Sequence, residues 1–151
     1  MQLSEICVLD VVFCSRRTTI LEAARLMRQH HAGDLIVVDD ADDERTPAGI
    51  ITDRDIVVDV LGKELNPATT LVGDVMVKLS HLVVARDTED LTEGAERMRQ
   101  HGVRRLPVVN RAGALVGVVT LDDLLQQLAR SATVLAEIVN KEQAHEQRAR
   151  R

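Results

Sequence analysis

An internal repeat limits the folds open to this chain of 151 residues. The tetrapeptide Met27-Arg28-Gln29-His30 recurs 71 residues later as Met98-Arg99-Gln100-His101, and Val37-Val38 matches Val108-Val109 at the same offset. A loop that is three residues longer in the first copy then shifts the register, so that Gly49, Thr52 and Asp55 match Gly117, Thr120 and Asp123. A sequence unit that is used twice predicts two halves of similar fold.

The spacing of apolar residues predicts the same order of elements in both copies, β-α-β-β-α over about 50 residues. In the first copy we expect strands at 11–15, 35–38 and 48–51, and in the second at 82–86, 106–109 and 115–119. The first helix of each copy begins after a cap, Thr19 with Glu22 in one and Asp90 in the other. The second helices are predicted to carry the apolar stripes Ile56, Val57, Val60, Leu61 and Leu121, Leu124, Leu125, Leu128.

Units of this size leave much of their surface exposed when they are alone, about 40% for a 60-residue domain. The two copies are therefore expected to pack against each other as a pseudo-twofold pair with a shared core. The predicted domain ranges are 1–62 for the first unit with its N-terminal lead-in, 63–72 for a linker, 73–130 for the second unit, and 131–151 for a C-terminal helix and polar tail.

Composition excludes several classes of function. The chain has 24 acidic against 19 basic residues, a net charge of -5, and its one aromatic residue is Phe13, so a nucleic-acid partner is not expected. No apolar run approaches the roughly 20 residues that cross a bilayer, and the expected location is cytoplasmic, with no membrane partner. No catalytic triad, phosphate-binding loop or metal-ligand spacing stands out, so we expect neither an enzyme nor a metal site.

The repeated motif Gly-x-x-Thr-x-x-Asp, Gly49 to Asp55 and Gly117 to Asp123, has two interpretations. In one, Thr caps the following helix and Asp completes a capping box, although Asp is one carbon shorter than the usual Glu. In the other, the Thr hydroxyl and the helix start bind a phosphate while Asp accepts hydrogen bonds from ribose hydroxyls. The short Asp side chain in both copies slightly favours the ligand, but the residues alone leave both interpretations open.

The repeated unit with these endings resembles a tandem pair of cystathionine β-synthase (CBS) domains, the Bateman module. The resemblance covers about Ser4 to Leu128 and rests on Ala23-Ala24-x-x-Met27, Arg104-Arg105-Leu106-Pro107-Val108-Val109 and Gly117-Val118-Val119-Thr120-x-x-Asp123. It implies an α+β (α/β-like) fold of two β-α-β-β-α units packed with pseudo-twofold symmetry. It also implies an adenine nucleotide (AMP, ADP, ATP or NAD) as a regulatory ligand in clefts between the units, and a homodimer.

By this resemblance, Thr52 and Asp55 serve one cleft, and Thr120 and Asp123 the other. The copies differ where the second has Arg104-Arg105-Leu106-Pro107 and the first has Gly33-Asp34-Leu35-Ile36, so the clefts are not expected to be equivalent. Arg54 is predicted to assist phosphate binding in the first cleft, and Arg104 or Arg105 near the second. The predicted ligand-binding residues are Thr18, Thr19, Asp34, Leu35, Gly49, Thr52, Arg54, Asp55, Thr88, Arg104, Arg105, Leu106, Pro107, Gly117, Thr120 and Asp123.

The leading hypothesis is a sensor of energy or redox state: nucleotide binding changes the arrangement of the units, and a separate effector protein responds. The alternative is a non-catalytic dimerisation scaffold with empty or degenerate clefts, in which Thr and Asp are only caps.

Overall fold

The computed structural model describes residues 1–39 and 46–149 and contains two similar halves. Most of the longer loop predicted for the first copy, 40–45, lies outside the described residues. The first half contains β1 (Phe13–Ser15), α1 (Ile20–His30), β2 (Asp34–Val38), β3 (Pro47–Thr52) and α2 (Asp53–Asp55), which continues as a π-helical turn at Ile56–Leu61. The chain then forms α3 (Val72–Val75), β4 (Val77–Lys78), β5 (Ala85–Arg86), α4 (Leu91–His101), β6 (Arg105–Val109), β7 (Leu115–Thr120) and α5 (Leu121–Ala149).

Each half is built on a small mixed sheet. The first sheet has the order β1-β2-β3-β4, with β1 and β2 parallel and the other pairs antiparallel. The second has the order β5-β6-β7, again with one parallel and one antiparallel pair. The predicted α+β fold with a duplicated β-α-β-β-α unit is confirmed.

Helix capping follows the sequence closely. Thr19 accepts a hydrogen bond from the Glu22 amide and Asp90 accepts one from the Glu93 amide, while each Glu carboxylate accepts a hydrogen bond from the cap amide. These reciprocal bonds satisfy backbone donors that have no partner within the helix. Both helices end in a left-handed residue, His31 (φ 52°) and Gly102 (φ 64°).

The apolar stripe predicted for the second helix of the first copy is buried at only two of its four residues. Ile56 and Val60 are buried, but Val57 and Leu61 are 59% and 55% exposed. The Gly62 amide donates to the Val57 carbonyl, a bond across five residues, and this wider π turn keeps residues four apart on one face. The stripe of the second copy divides similarly, since Leu124 is buried whereas Leu125 and Leu128 are 53% and 61% exposed.

The predicted strands at 11–15 and 82–86 are longer than the observed β1 and β5. Val11 and Leu82 instead lie between the two sheets, where they pack on Ile36, Ile50 and Val118. This cluster joins the halves, and Ile50 and Val118 occupy equivalent positions in the two copies. The contacts between halves therefore partly bury Val11 and Leu82, which we assigned to the strand starts.

The segments that precede the two halves are exchanged between the cores. Leu3 and Cys7 pack in the core of the second half, whereas Val72 and Met76 pack in the core of the first. The domain ranges 1–62 and 73–130 remain a prediction. Each core contains residues from both ranges. Each half obtains from the other an extra edge: β4 pairs with β3, and Val8 pairs with Val118.

Candidate ligand-binding clefts

Two clefts lie at the junction of the halves and are related by the repeat. The first has a volume of about 380 Å³ and is lined by Ile50, Thr52, Asp53, Arg54, Asp55, Val77, His81, Leu82, Val83, Gly102, Val103, Arg104, Arg105 and Pro107. The second has a volume of about 270 Å³ and is lined by Val8, Asp10, Val11, Val12, His31, Ala32, Gly33, Asp34, Arg105, Val118 and Thr120. Each cleft is therefore lined by residues of both copies.

In the first cleft, Thr52 and Asp55 form a complete capping box. The Thr52 amide and hydroxyl both donate to Asp55 Oδ2 at 2.8 Å, and the Asp55 amide donates to Thr52 Oγ1 at 3.2 Å. The shorter Asp side chain, which we took as slightly favouring a ligand, does complete the box, because the backbone of this turn brings the carboxylate within reach. Among the described residues, Asp55 Oδ1 accepts no hydrogen bond, so it is available to a ligand in the cleft.

Thr120 and Asp123 repeat this geometry in the second half. The Thr120 amide and hydroxyl donate to Asp123 Oδ2 at 2.8 and 2.7 Å, and the Asp123 amide donates back at 3.2 Å. Thr120 lines the second cleft and an adjoining recess of about 260 Å³ that also contains Arg104, Arg105, Leu121 and Asp122. Asp123 is half-buried behind Thr120 and is not among the lining residues of either.

Three arginines come together at the first cleft. Arg54 follows Thr52 on α2, while Arg104 and Arg105 come from the start of β6 in the other half. We predicted Arg104 or Arg105 near the second cleft, and Arg105 does line it; both arginines also line the first cleft and the recess beside Thr120. The nearest carboxylate oxygen to Arg104 Nη2 is on Asp122 at 3.9 Å, and both side chains are 74% exposed, so this pair binds weakly.

Arg105 pairs with Asp34, the residue at the equivalent position of the first copy. Arg105 Nε lies 2.7 Å from Asp34 Oδ1, and the Asp34 side chain is only 17% exposed. Burial raises the pKa of the Asp34 carboxyl, the Arg105 guanidinium opposes that rise, and the Asp53 carboxylate adds to it. A Cβ at Gly33 would lie 2.9 Å from Arg105 Nη2, so the glycine leaves room for the guanidinium.

Glycine has a packing role at the two predicted positions Gly49 and Gly117. A Cβ at Gly49 would lie 2.4 Å from the Val77 carbonyl oxygen, and one at Gly117 would lie 2.6 Å from that of Val8. Both glycines are buried where the exchanged segment of the other copy crosses the sheet. Neither is among the residues that line the clefts.

The remaining predicted residues divide between core and turns. Leu35 and Leu106 are fully buried in the two cores, and Pro107 is buried at the wall of the first cleft. Thr18 accepts a hydrogen bond from the Ser15 amide at 3.0 Å, Thr19 caps α1, and Thr88 is exposed. The structure does not bring these three threonines into either cleft.

Sequence reasoning missed the residues that precede the first strand of each half. His81 and Val83 line the first cleft, and Asp10 and Val12 line the second. The signal was present in the 71-residue offset, which relates His81 to Asp10 and Val83 to Val12.

The described residues offer little for metal or nucleophilic chemistry. Within 1–39 and 46–149, no group of three or more His, Cys, Asp or Glu side chains is arranged to hold a metal ion. Burial raises the pKa of the Cys14 thiol to about 12 and also raises that of Cys7, so both are protonated near neutral pH. No helix in the same part of the chain combines the length and the hydropathy needed to cross a membrane.

Comparison with known proteins agrees with the duplicated architecture. The family model described as CBS domain matches twice, at residues 3–62 and 72–130. Hypoxic response protein 1 of Mycobacterium tuberculosis is 36% identical over 77% of this chain and 77% of its own length. An uncharacterised protein of Methanopyrus kandleri is 35% identical over 78% of this chain, and that match spans 57% of the relative.

Solved structures show the same fold. The crystal structure of hypoxic response protein I, which holds two coordinated zinc ions, has a TM-score of 0.72 and 30% identity and covers 83% of this chain and 98% of that one. A CBS domain protein of Pyrobaculum aerophilum complexed with AMP has a TM-score of 0.75 and covers 86% of this chain and 99% of that one. At 24% identity, the second likeness concerns the fold alone.

Proposed function

The chain belongs to the CBS domain family, with two CBS domains in tandem, and we propose that it is a regulatory module that binds an adenine nucleotide between its halves. The observation that carries this proposal is the first cleft, where Thr52 and Asp55 from one half face Arg104 and Arg105 from the other. The structure of a protein of the same fold is known in complex with AMP, which supports an adenosine ligand.

Each part of a nucleotide has a matching group in the first cleft. Asp55 Oδ1 accepts hydrogen bonds from ribose hydroxyls, while the Oδ2 atom stays in the capping box. Arg54, Arg104 and Arg105 bind the phosphate, since guanidinium groups pair well with phosphate oxygens. Apolar side chains such as Val77, Val83 and Pro107 enclose the adenine, which needs no aromatic partner. AMP, ADP, ATP and NAD all carry these groups.

Binding has a direct route to the packing of the halves. A phosphate in the first cleft competes with Asp34 for Arg105, and that ion pair joins β2 of one half to β6 of the other. A ligand shifts the arrangement of the halves only as far as it binds one arrangement more tightly. We propose that a separate effector protein detects this shift and that the module itself catalyses no reaction.

We propose that exposed apolar side chains form a contact with a second copy of the chain. Val57, Val58 and Leu61 on the π turn, and Leu125 and Leu128 on α5, are each more than half exposed. Large exposed apolar patches are uncommon on monomers and mark interfaces. A homodimer removes this surface from water.

The completed capping boxes favour one alternative, a dimerisation scaffold in which Thr52, Asp55, Thr120 and Asp123 act only as caps. Thermal unfolding with AMP, ADP, ATP, NAD and S-adenosylmethionine separates the two functions. A ligand at 100 times its Kd adds about 2.7 kcal/mol, which raises the Tm of a protein of this size by about 5–10 °C. Unchanged melting with every ligand would support the scaffold.

The variant Asp55→Ala tests the ribose contact, with Glu93→Ala as its matched control. Both residues occupy the third position of a helix and complete a capping box, but Glu93 lies outside the clefts. Each variant is expected to lose about 1 kcal/mol of stability with its cap. Only Asp55→Ala should also lose the AMP-induced rise in Tm, and an equal rise in both variants would contradict the ribose assignment.

A further inference from the structure

A position-by-position comparison of the clefts shows a change of charge that runs mainly in one direction. The repeat places each residue of the first cleft opposite an equivalent residue at the second. At four positions the first cleft has an arginine or a histidine where the second has an aspartate or a glycine. The pairs are His81 and Asp10, Arg104 and Gly33, Arg105 and Asp34, and Arg54 and Asp122. At two positions the difference is reversed: the first cleft has Asp53 where the second has Leu121, and Gly102 where the second has His31.

The first cleft is suited to an anion. Three arginines and two aspartates line it, and one of those aspartates, Asp55, is bonded to the Thr52 amide and hydroxyl. Arg54 forms no ion pair with any described residue, and the 3.9 Å pair of Arg104 with Asp122 is exposed to solvent. At least two guanidinium groups are therefore available to a phosphate without the loss of a strong ion pair.

The second cleft opposes an anion. One arginine and two aspartates line it, and the arginine is Arg105, whose Nε is already 2.7 Å from Asp34. Asp34 is largely buried, so water screens its charge poorly. Asp122 adds a carboxylate in the recess beside Thr120. A phosphate held here would lie close to three carboxylates, and the two guanidinium groups beside it each lie next to one of them, Arg105 at 2.7 Å from Asp34 and Arg104 at 3.9 Å from Asp122.

We propose that the two clefts bind different adenosine compounds, a phosphorylated one in the first and an unphosphorylated one with a neutral or cationic 5′ group in the second. The proposal rests on the function proposed above and extends it, since it assigns a ligand class to each cleft. The Thr-Asp pair is repeated with nearly the same distances, so both clefts have the same turn, although Asp55 lines the first cleft and Asp123 does not line the second. Charge then selects the 5′ substituent: a nucleoside, a thioether or a sulfonium suits the second cleft.

Isothermal titration tests this with AMP, adenosine and S-adenosylmethionine as probes. AMP is expected to bind one site per chain, and S-adenosylmethionine or adenosine is expected to bind a second site in protein saturated with AMP. Asp55→Ala should remove the AMP site, and Asp123→Ala, which breaks the turn that holds Thr120 at the second cleft, should weaken the other. AMP filling both sites with similar affinity would overturn the proposal, as would loss of AMP binding in Asp123→Ala.

A reciprocal pair of exposed substitutions provides a sharper measurement. Asp122→Arg gives the second cleft the residue of the first, and Arg54→Asp does the reverse. Both positions are exposed, so neither change disturbs the core. Asp122→Arg should create a second AMP site or strengthen one about 10-fold, and Arg54→Asp should weaken the first about 10-fold, with little change for adenosine. Equal AMP binding in both variants and the unmodified protein would refute the charge argument.

The outcomes distinguish this proposal from the proposed function. If AMP binds at one site but no unphosphorylated adenosine compound binds beside it, the charge selection fails while the nucleotide module stands. If no adenosine compound binds at all, the proposed function fails first and the selection fails with it.

Discussion

Replacement of Gly117 by Ala tests the exchange of segments between the halves. The added Cβ would lie 2.6 Å from the Val8 carbonyl oxygen and 2.8 Å from Cys7 Sγ, closer than real Cβ atoms approach. Val8 is held there by two backbone hydrogen bonds to Val118, of 2.9 and 3.1 Å. The methyl group must therefore push the N-terminal segment off the edge of β7.

The cost follows from what is displaced. Two hydrogen bonds contribute about 1 kcal/mol each, overpacking costs about 1–3 kcal/mol, and the lower chain entropy of unfolded alanine returns about 0.4–1 kcal/mol. We expect a net loss of about 3 kcal/mol, measured as the free energy of unfolding in urea. For a chain of this size the Tm should fall by about 6–12 °C.

Two other glycines give matched comparisons. Gly49→Ala places its Cβ 2.4 Å from the Val77 carbonyl oxygen and should cost a similar amount. At Gly33 the closest atom, 2.9 Å away, is the end of the flexible Arg105 side chain, so Gly33→Ala should cost much less. Hydrogen exchange at the Val118 amide, which donates to Val8, should accelerate in Gly117→Ala. A Gly117→Ala protein within about 0.5 kcal/mol of the unmodified one would refute the exchange.

The pH dependence of stability should reflect Cys14. Burial raises its folded pKa to about 12 from a usual value of 9, so its contribution is complete below pH 9 and is lost as pH rises toward 12. Between pH 8 and pH 10 the unfolding free energy should fall by about 1 kcal/mol more than in Cys14→Ala, and equal slopes would contradict the burial effect. Light scattering after size-exclusion chromatography should show a dimer that Leu128→Glu converts to a monomer, while Gln126→Glu on the same exposed helix stays dimeric. A monomer without any substitution would contradict the proposed dimer.

Local structure was largely predictable because its causes lie within a few residues of each other. Apolar spacing with the Thr19-Glu22 cap correctly located α1, and the equivalent pattern located α4. The predicted starts of two strands were wrong because Val11 and Leu82 face the other half. The periodicity of a strand does not indicate such a contact. The π turn escaped prediction for a similar reason, since the apolar pattern of Ile56 to Leu61 also suits an ordinary helix.

The same distinction between local and long-range causes applies to the candidate site. Thr52, Arg54 and Thr120 line clefts as predicted residues, but the partners across each cleft come from the other copy. No spacing along the chain indicates that Arg105 pairs with Asp34, because the residues are 71 positions apart and meet only where the two halves pack. The capping distance from Thr52 to Asp55 depended on the backbone angles of one turn, which residue types alone do not specify.

By itself, the sequence determined that the chain is a duplicated unit, what elements each copy contains, and that the two copies differ in charge at equivalent positions. These properties follow from composition and short-range spacing, which act before the halves meet. Only the tertiary structure decided which N-terminal segment completes which core, why Gly49 and Gly117 have no side chain, and which arginines share a cleft with which threonine. Those outcomes depend on contacts between distant residues, whose energies exist only once both halves are packed together.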